Sequence, residues 1–186
     1  MAEDTDLGNT ARRGFLQSSA ALAVGLGLGA PAFSQTPAKP MRGLFPIGQT
    51  PFTPDNKLDL DCLAAEVNFC NRGGVPGFIW PQIASGWSTM SEPERMSGAE
   101  AILSAGKGGK TSLVIGVQAV GNNLAESIRY AKHAAAHGAD AIVSLPPEKA
   151  DDQAMMDYYK TIGAATDLPL IVQSQGGGIS GPPASV

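Results

Sequence analysis

Residues 112–145 run SLVIGVQAVG NNLAESIRYAKHAAAHGAD AIVSL, and their reading decides the fold. Leu113–Ile115 is a short apolar run without alternation, the pattern of a strand buried on both faces of a parallel sheet. Leu124, Ile128, Ala131 and Ala135 then fall on one helical face, all within about 40° of Leu124 on the wheel, and Gly138 ends the helix. A second apolar run, Ala141–Leu145, follows. Strand, amphipathic helix and strand within roughly 30 residues make a βαβ unit, whose crossover is almost always right-handed.

The unit repeats in both directions. Upstream, Gly43–Gly48 is a first strand, followed by a helix from Asp59 with Leu60, Leu63, Ala64, Val67 and Cys70 on one face and Gly73-Gly74 as its stop. Phe78–Trp80 is the next strand, and Ser91-Glu-Pro-Glu94 opens a helix to about Ala105, with Ser91 as cap and Glu94 reaching back to it. Downstream, Asp151-Asp152 caps a helix striped by Met155, Tyr159 and Ile162, and Leu168–Val172 is a fifth strand. The predicted parallel strands are 43–48, 77–81, 112–116, 141–145 and 169–173, joined by four helices in an α/β fold. A complete eight-stranded barrel takes roughly 250 residues. At 186 residues the chain is too short for a complete one, and five parallel strands without closure leave an open edge. An independent five-stranded doubly wound sheet is the alternative.

Composition sets the class. Hydrophobic residues are 43% and charged residues 16%, a globular balance, and the net charge of −4 with no Lys/Arg cluster gives no footprint for nucleic acid. Residues 1–34 have another character. Arg12-Arg13, then Phe15-Leu16, an Ala/Leu/Gly-rich stretch from Ala20 to Ala30 and small residues at its end resemble a twin-arginine export signal. Cleavage after Ser34 would leave a linker at 35–42, the barrel segment at 43–175 and a Gly/Pro-rich tail at 176–186. The protein is then expected in the periplasm or outside the cell, meeting a membrane only during export. A retained anchor is the alternative, although the glycines, serines and Gln17 make the stretch weakly hydrophobic for a span. Cys62 and Cys70 lie on one helix, their Cα atoms about 12 Å apart, beyond disulfide reach.

Candidate chemistries are few. Gly108-Gly109-Lys110-Thr111 resembles a phosphate loop but has Ser104 where the motif needs glycine. It also leaves a helix and enters a strand, so no helix N-terminus faces an anion. His133 and His137 have the i, i+4 spacing of metal ligands, yet the wheel puts them at about 180° and about 220°, facing solvent, with no third ligand evident. Ser85, Ser88 and Ser91 lack a nucleophile elbow. The expectation is no metal, no cofactor and no triad.

Ordered short blocks carry a resemblance. Gln49-Thr-Pro-Phe52 with Asp55 and Leu58-Asp59, Ser91-Glu-Pro-Glu-Arg95, Asn122 with Ala125-Glu-Ser-Ile128, His137-Gly-Ala-Asp-Ala141 and Asp167-Leu-Pro-Leu-Ile-Val172 together resemble the dihydrodipicolinate synthase/N-acetylneuraminate lyase family over residues 43–175. The resemblance implies a partial (β/α)8 TIM barrel of the α/β class, and a class I aldolase or lyase acting on 2-oxo acids or sugar acids, homo-oligomeric at full length. It also implies a Schiff-base lysine on strand six, a proton-relaying tyrosine at the end of strand five and a hydroxyl-rich carboxylate loop after strand two. An imine makes the 2-oxo acid an electron sink without a metal.

This chain departs from that pattern. Gln173-Ser-Gln-Gly176 stands where the strand-five tyrosine motif belongs, Gln82-Ile-Ala-Ser-Gly86 replaces the carboxylate loop, and Pro146-Pro147 replaces the aromatic pair after strand four. A carboxamide has no titrating proton to relay. The sequence ends before a sixth strand, so the Schiff-base lysine is missing and the chain is expected to be truncated and inactive alone. Lys57 and Lys149 lie in loops on the catalytic face without the burial that frees a lysine's lone pair. Lys107 and Lys110 fall at the opposite end, and Lys132 and Lys160 on helices. No catalytic residue is assigned; Thr50, Ser85, Gln118 and Gln173, at strand ends, are expected to bind substrate. The competing function is a non-catalytic exported binding or partner protein built on a half-barrel.

Overall fold

The computed structural model describes residues 39–173; the expected export signal at 1–34 and the expected tail at 176–186 lie outside them. Four strands, β1 (Gly77–Trp80), β2 (Ser112–Gly116), β3 (Ala141–Ser144) and β4 (Leu170–Val172), form one sheet in the order β1-β2-β3-β4. Every pairing is parallel, with Phe78 opposite Leu113, Ile115 opposite Ile142 and Val143 opposite Ile171. Helices α1 (Leu60–Arg72), α2 (Glu92–Ala105), α3 (Leu124–Ala136) and α4 (Asp152–Gly163) alternate with the strands. This is the α/β architecture of a partial TIM barrel.

The first expected strand, 43–48, is present as an edge pairing but not as a regular strand. Gly77 N donates to Leu44 O at 3.2 Å, Ile79 N to Pro46 O at 3.0 Å, and Gly48 N to Ile79 O at 2.9 Å. Pro46 has no N–H to return to Gly77, so the ladder closes only at the Ile47–Ile79 bridge.

Side chains alternate between two faces of the sheet. Phe78, Trp80, Leu113, Ile115 and Ile142 pack against Leu63, Val67, Ile102, Ala131 and Ile162 of the helices. Val114, Ala141 and Val143 form a smaller cluster on the other face with Phe45, Ile79 and Ile171. All five residues of β2 are buried, which explains its unalternating apolar sequence.

Each helix start has a physical cause. Asp59 Oδ1 accepts from Cys62 N at 2.9 Å, Asn123 Oδ1 from Glu126 N at 3.2 Å and Asp151 Oδ1 from Ala154 N at 2.8 Å. At α2, Ser91 N and Oγ donate to Glu94 Oε2 at 2.8 and 2.7 Å. After α3 the chain turns at Gly138, whose φ of +85° a side chain would disfavour. Asp140 follows: its Oδ2 accepts from Leu113 N at 2.8 Å and from Lys39 Nζ at 2.9 Å, fastening the entry ends of β2 and β3 to the upstream segment.

Two sequence expectations change here. The His133 side chain is only 16% exposed, because α2 packs beside α3 and places Glu100 Oε1 2.9 Å from His133 Nε2. The wheel registers a helix's apolar face but not a polar contact with a neighbouring helix. Glu100 is also the third potential ligand that the sequence did not reveal. Of the two cysteines expected to pack, Cys70 is buried and Cys62 exposed.

Candidate functional site at the C-terminal ends of the strands

β1 ends in a cis Trp80–Pro81 bond, after which the chain makes one tight turn at Ile83–Ser85 and leaves through Gly86 at φ +64°. This turn, the counterpart of the carboxylate loop, is pinned to the strand-one segment. Trp80 Nε1 donates to Thr50 Oγ1 at 3.0 Å, and Thr50 Oγ1 donates to Ser85 O at 2.6 Å. Ser85 Oγ donates to Gly48 O at 2.6 Å and accepts from Gln82 N at 3.0 Å. From β2, Gln118 Nε2 donates to Pro81 O at 2.9 Å, and Gln82 Nε2 donates to Gln118 Oε1 at 3.4 Å. Gly116 permits this approach, since a Cβ there would stand 2.0 Å from Pro81 O.

Thr50, Ser85 and Gln118 thus meet in one hydrogen-bonded network with Trp80 and Gln82. Ser85 and Gln118 are buried, and Thr50 is half-buried. Gln173 stands apart at the end of β4. Its N–H donates to Ser144 O at 3.2 Å, and among the described residues no hydrogen bond joins it to the other three. Beside it, Tyr158 Oη and Ser144 Oγ are 3.0 Å apart, and Tyr159 Oη lies 3.5 Å from both Ser144 O and Gln173 O. Burial, reinforced by Tyr158, pushes the Tyr159 phenol up, so it keeps its proton at neutral pH.

Sequence reasoning passed over Arg95, Gln82 and the two tyrosines as site residues. Arg95 is 4% exposed. Its Nη2 donates to Gly116 O at 2.7 Å, its Nη1 donates to Gln118 O, and its guanidinium sits 4.0 Å from the Tyr130 ring centre. Burial lowers its pKa from the ordinary arginine value, while Tyr130 and Glu126 act in the opposite direction. The available signal was its place on the α2 face that also buries Ala99 and Ile102. Tyr159 was visible only as part of an apolar stripe.

Chemically, the network at the ends of β1 and β2 is a set of amides, hydroxyls and carbonyls, with one buried cation beneath it. It contains no carboxylate. Gln82 Oε1 and Arg95 Nε are buried without partners among the described residues. Such a surface can hold and orient a ligand through hydrogen bonds, but it offers no group suited to proton transfer near neutral pH.

Comparison with known proteins places this geometry. Residues 40–176 match the Dihydrodipicolinate synthetase family. The chain is 30% identical over 132 residues to the 4-hydroxy-tetrahydrodipicolinate synthase of Methanosarcina mazei, covering 70% of this chain and 44% of that protein. It is 29% identical over 136 residues to a probable 2-dehydro-3-deoxy-D-pentonate aldolase of Escherichia coli, covering 72% and 44% respectively. Among solved structures it is similar to YagE of E. coli K12, a dihydrodipicolinic acid synthase family protein in complex with pyruvate. That match has a TM-score of 0.66 at 26% identity, over 71% of this chain and 44% of that one. The chain therefore spans less than half the length of these relatives, and over the part they share, in sequence and in fold, it belongs to the Dihydrodipicolinate synthetase family.

Proposed function

We propose that this chain supplies the substrate-holding half of a lyase or aldolase site for 2-oxo acids, with hydroxylated sugar acids preferred over pyruvate. The observation that carries the reading is the network of Thr50, Gln82, Ser85 and Gln118 at the C-terminal strand ends, where barrel enzymes hold their substrates. Its hydroxyls are committed to backbone carbonyls, which leaves little to bind a small carboxylate. Gln82 Oε1 instead lacks a donor among the described residues, and a ligand hydroxyl would supply one. Gln173, which stands apart just past β4, would offer a ligand a further neutral amide.

The imine-forming amine comes from elsewhere in this reading. None of the seven lysines stands on a strand: Lys39, Lys57, Lys107, Lys110 and Lys149 lie in connecting segments, Lys132 on α3 and Lys160 on α4. The test is borohydride reduction of the full chain with pyruvate and, separately, with a 2-oxo-3-deoxy sugar acid, read by intact mass and paired with calorimetric titration. Saturable sugar-acid binding, weakened by Gln118→Ala, with no covalent adduct on either substrate is expected. An adduct on Lys57 or Lys149 would overturn the assignment of the amine, and absence of binding would overturn the site.

Export belongs to the same reading. Arg12-Arg13 with Phe15-Leu16 supports a twin-arginine route and a periplasmic or secreted protein. Replacing both arginines by lysine should stop translocation, and a cytosolic chain with its N-terminus intact would end the idea.

A further inference from the structure

Away from the strand ends, in the outer helix layer, α2 and α3 are joined by polar contacts only at intervals. Arg129 donates to both carboxylate oxygens of Glu92, at 2.9 and 2.8 Å. Farther along the same seam, Glu100 of α2 meets His133 of α3 and His137, the residue that caps it. Glu100 Oε1 lies 2.9 Å from His133 Nε2 and 3.8 Å from His137 Nε2. The imidazole centroids are 4.2 Å apart with their planes tilted by 39°. One potential ligand atom from each of the three residues lies within 4.8 Å of the other two.

The orientation of His137 is already fixed. Its Nδ1 is 2.8 Å from His133 O, a carbonyl that can only accept, so Nδ1 carries the hydrogen. In the neutral ring Nε2 then presents a lone pair, and it presents it toward Glu100 Oε1, another acceptor. A cation held by both would fill the 3.8 Å between these two acceptors. A ring hydrogen bonded to a backbone carbonyl is also the arrangement that holds histidine ligands in place at metal centres.

We propose that Glu100, His133 and His137 form a binding site for a divalent transition metal of the zinc class, with water as fourth ligand. Two imidazoles and one carboxylate are a donor set for zinc, cobalt, nickel or copper rather than for calcium or magnesium, which take oxygen. Zinc bonds of about 2.0–2.1 Å in a tetrahedron put ligand atoms roughly 3.4 Å apart, so side-chain adjustments of the order of 1 Å close the site. On binding, His133 moves its hydrogen from Nε2 to Nδ1 and gives the Nε2 lone pair to the metal. The fourth position opens to solvent, because Glu100 is 51% and His137 41% exposed. The metal would clamp α2 to α3 without touching the strand-end network, so metal occupancy and ligand binding there are independent.

The experiment uses the full chain prepared without a histidine tag. Zinc affinity is read by competition with a chromophoric chelator, and cobalt is added as a spectroscopic probe. One metal per chain, a tetrahedral cobalt spectrum and a melting temperature raised by zinc are expected. His137→Gln and Glu100→Gln, both at exposed positions, should each weaken zinc by more than the roughly 10–100-fold typical of losing an outer-shell partner. Cys62→Ser should leave the affinity unchanged. Helical circular dichroism of each variant establishes that it is folded. Wild-type protein that takes up no stoichiometric zinc, or His133→Gln/His137→Gln protein that still binds it as tightly, would overturn the proposal.

Discussion

Arg95 holds a positive charge against the Tyr130 ring and beneath the carbonyls of Gly116 and Gln118 while 4% exposed. Those carbonyls stand at the exit of β2, beside the site, so the guanidinium fixes the backbone that positions Gln118. Arg95→Met keeps the volume but leaves two buried acceptors unpaired, and should cost about 2–4 kcal/mol. Arg95→Lys should recover little of this, because a single ammonium cannot reproduce the fork. Urea unfolding midpoints of the two variants check both statements. Gly116→Ala addresses the same spot from the other side. The new methyl would meet Pro81 O, a backbone atom that cannot swing away, so a loss of about 1–3 kcal/mol is expected together with weaker ligand binding. Neither role was legible in the sequence. A lone arginine on a helix reads as solvated, and a glycine after an apolar run reads as a strand end. Thr50, Ser85 and Gln118 could be picked out as polar residues at strand ends, whereas the hydrogen bonds that consume their polar groups depend on a backbone path through Pro81.

Helices were legible because capping and periodicity are local. The Ser91–Glu94 pair predicted from four residues is present, with both Ser91 groups donating to one carboxylate oxygen. The Ser91 hydroxyl, then its amide, holds the Glu94 carboxyl below its ordinary value. A lowered folded-state pKa means that the contribution is complete above the unfolded value near 4.5 and disappears as pH falls through the folded value. Glu94→Gln should therefore lower stability at pH 7 by a few tenths of a kcal/mol, after solvent screening, and leave it unchanged at low acid pH. Thermal melts of both proteins across pH 2–7 show whether the difference closes on the acid side. Ser91→Ala removes the cap itself and should cost about 1 kcal/mol. Strand one was legible as a strand but not as an irregular one, since the effect of Pro46 depends on which residue faces it. The seam between α2 and α3 was not legible. Glu100 and His133 are 33 residues apart, and only the register of two neighbouring helices brings them together.

Across the whole molecule, buried and exposed apolar surface are unevenly divided. The interior of the sheet is closed, with Val114, Ala141 and Val143 at most 1% exposed. The strand-one edge is not. Leu44 is 69% and Phe69 68% exposed, and with Ile47 they flank a groove lined by Pro46, Val75 and Phe78. Glu66 lies in that groove, its carboxyl pushed up by burial although the Gln49 amide donates to it. Among the described residues one pair of this edge, Ile47 with Ile79, forms a regular bridge, and the backbone groups of Phe45 and Ile47 have no backbone partner beside these exposed apolar side chains. Such an edge favours pairing with further polypeptide, whether a second copy of this chain or additional strands. The purified chain should accordingly self-associate with rising concentration in sedimentation velocity. Leu44→Glu/Phe69→Glu should shift it toward monomer while leaving helical circular dichroism intact, because neither side chain belongs to the core. A wild-type chain that sediments as a monomer at all concentrations and melts cooperatively would instead mark the four-stranded unit as an independent domain, and the exposed edge as a surface that needs no partner.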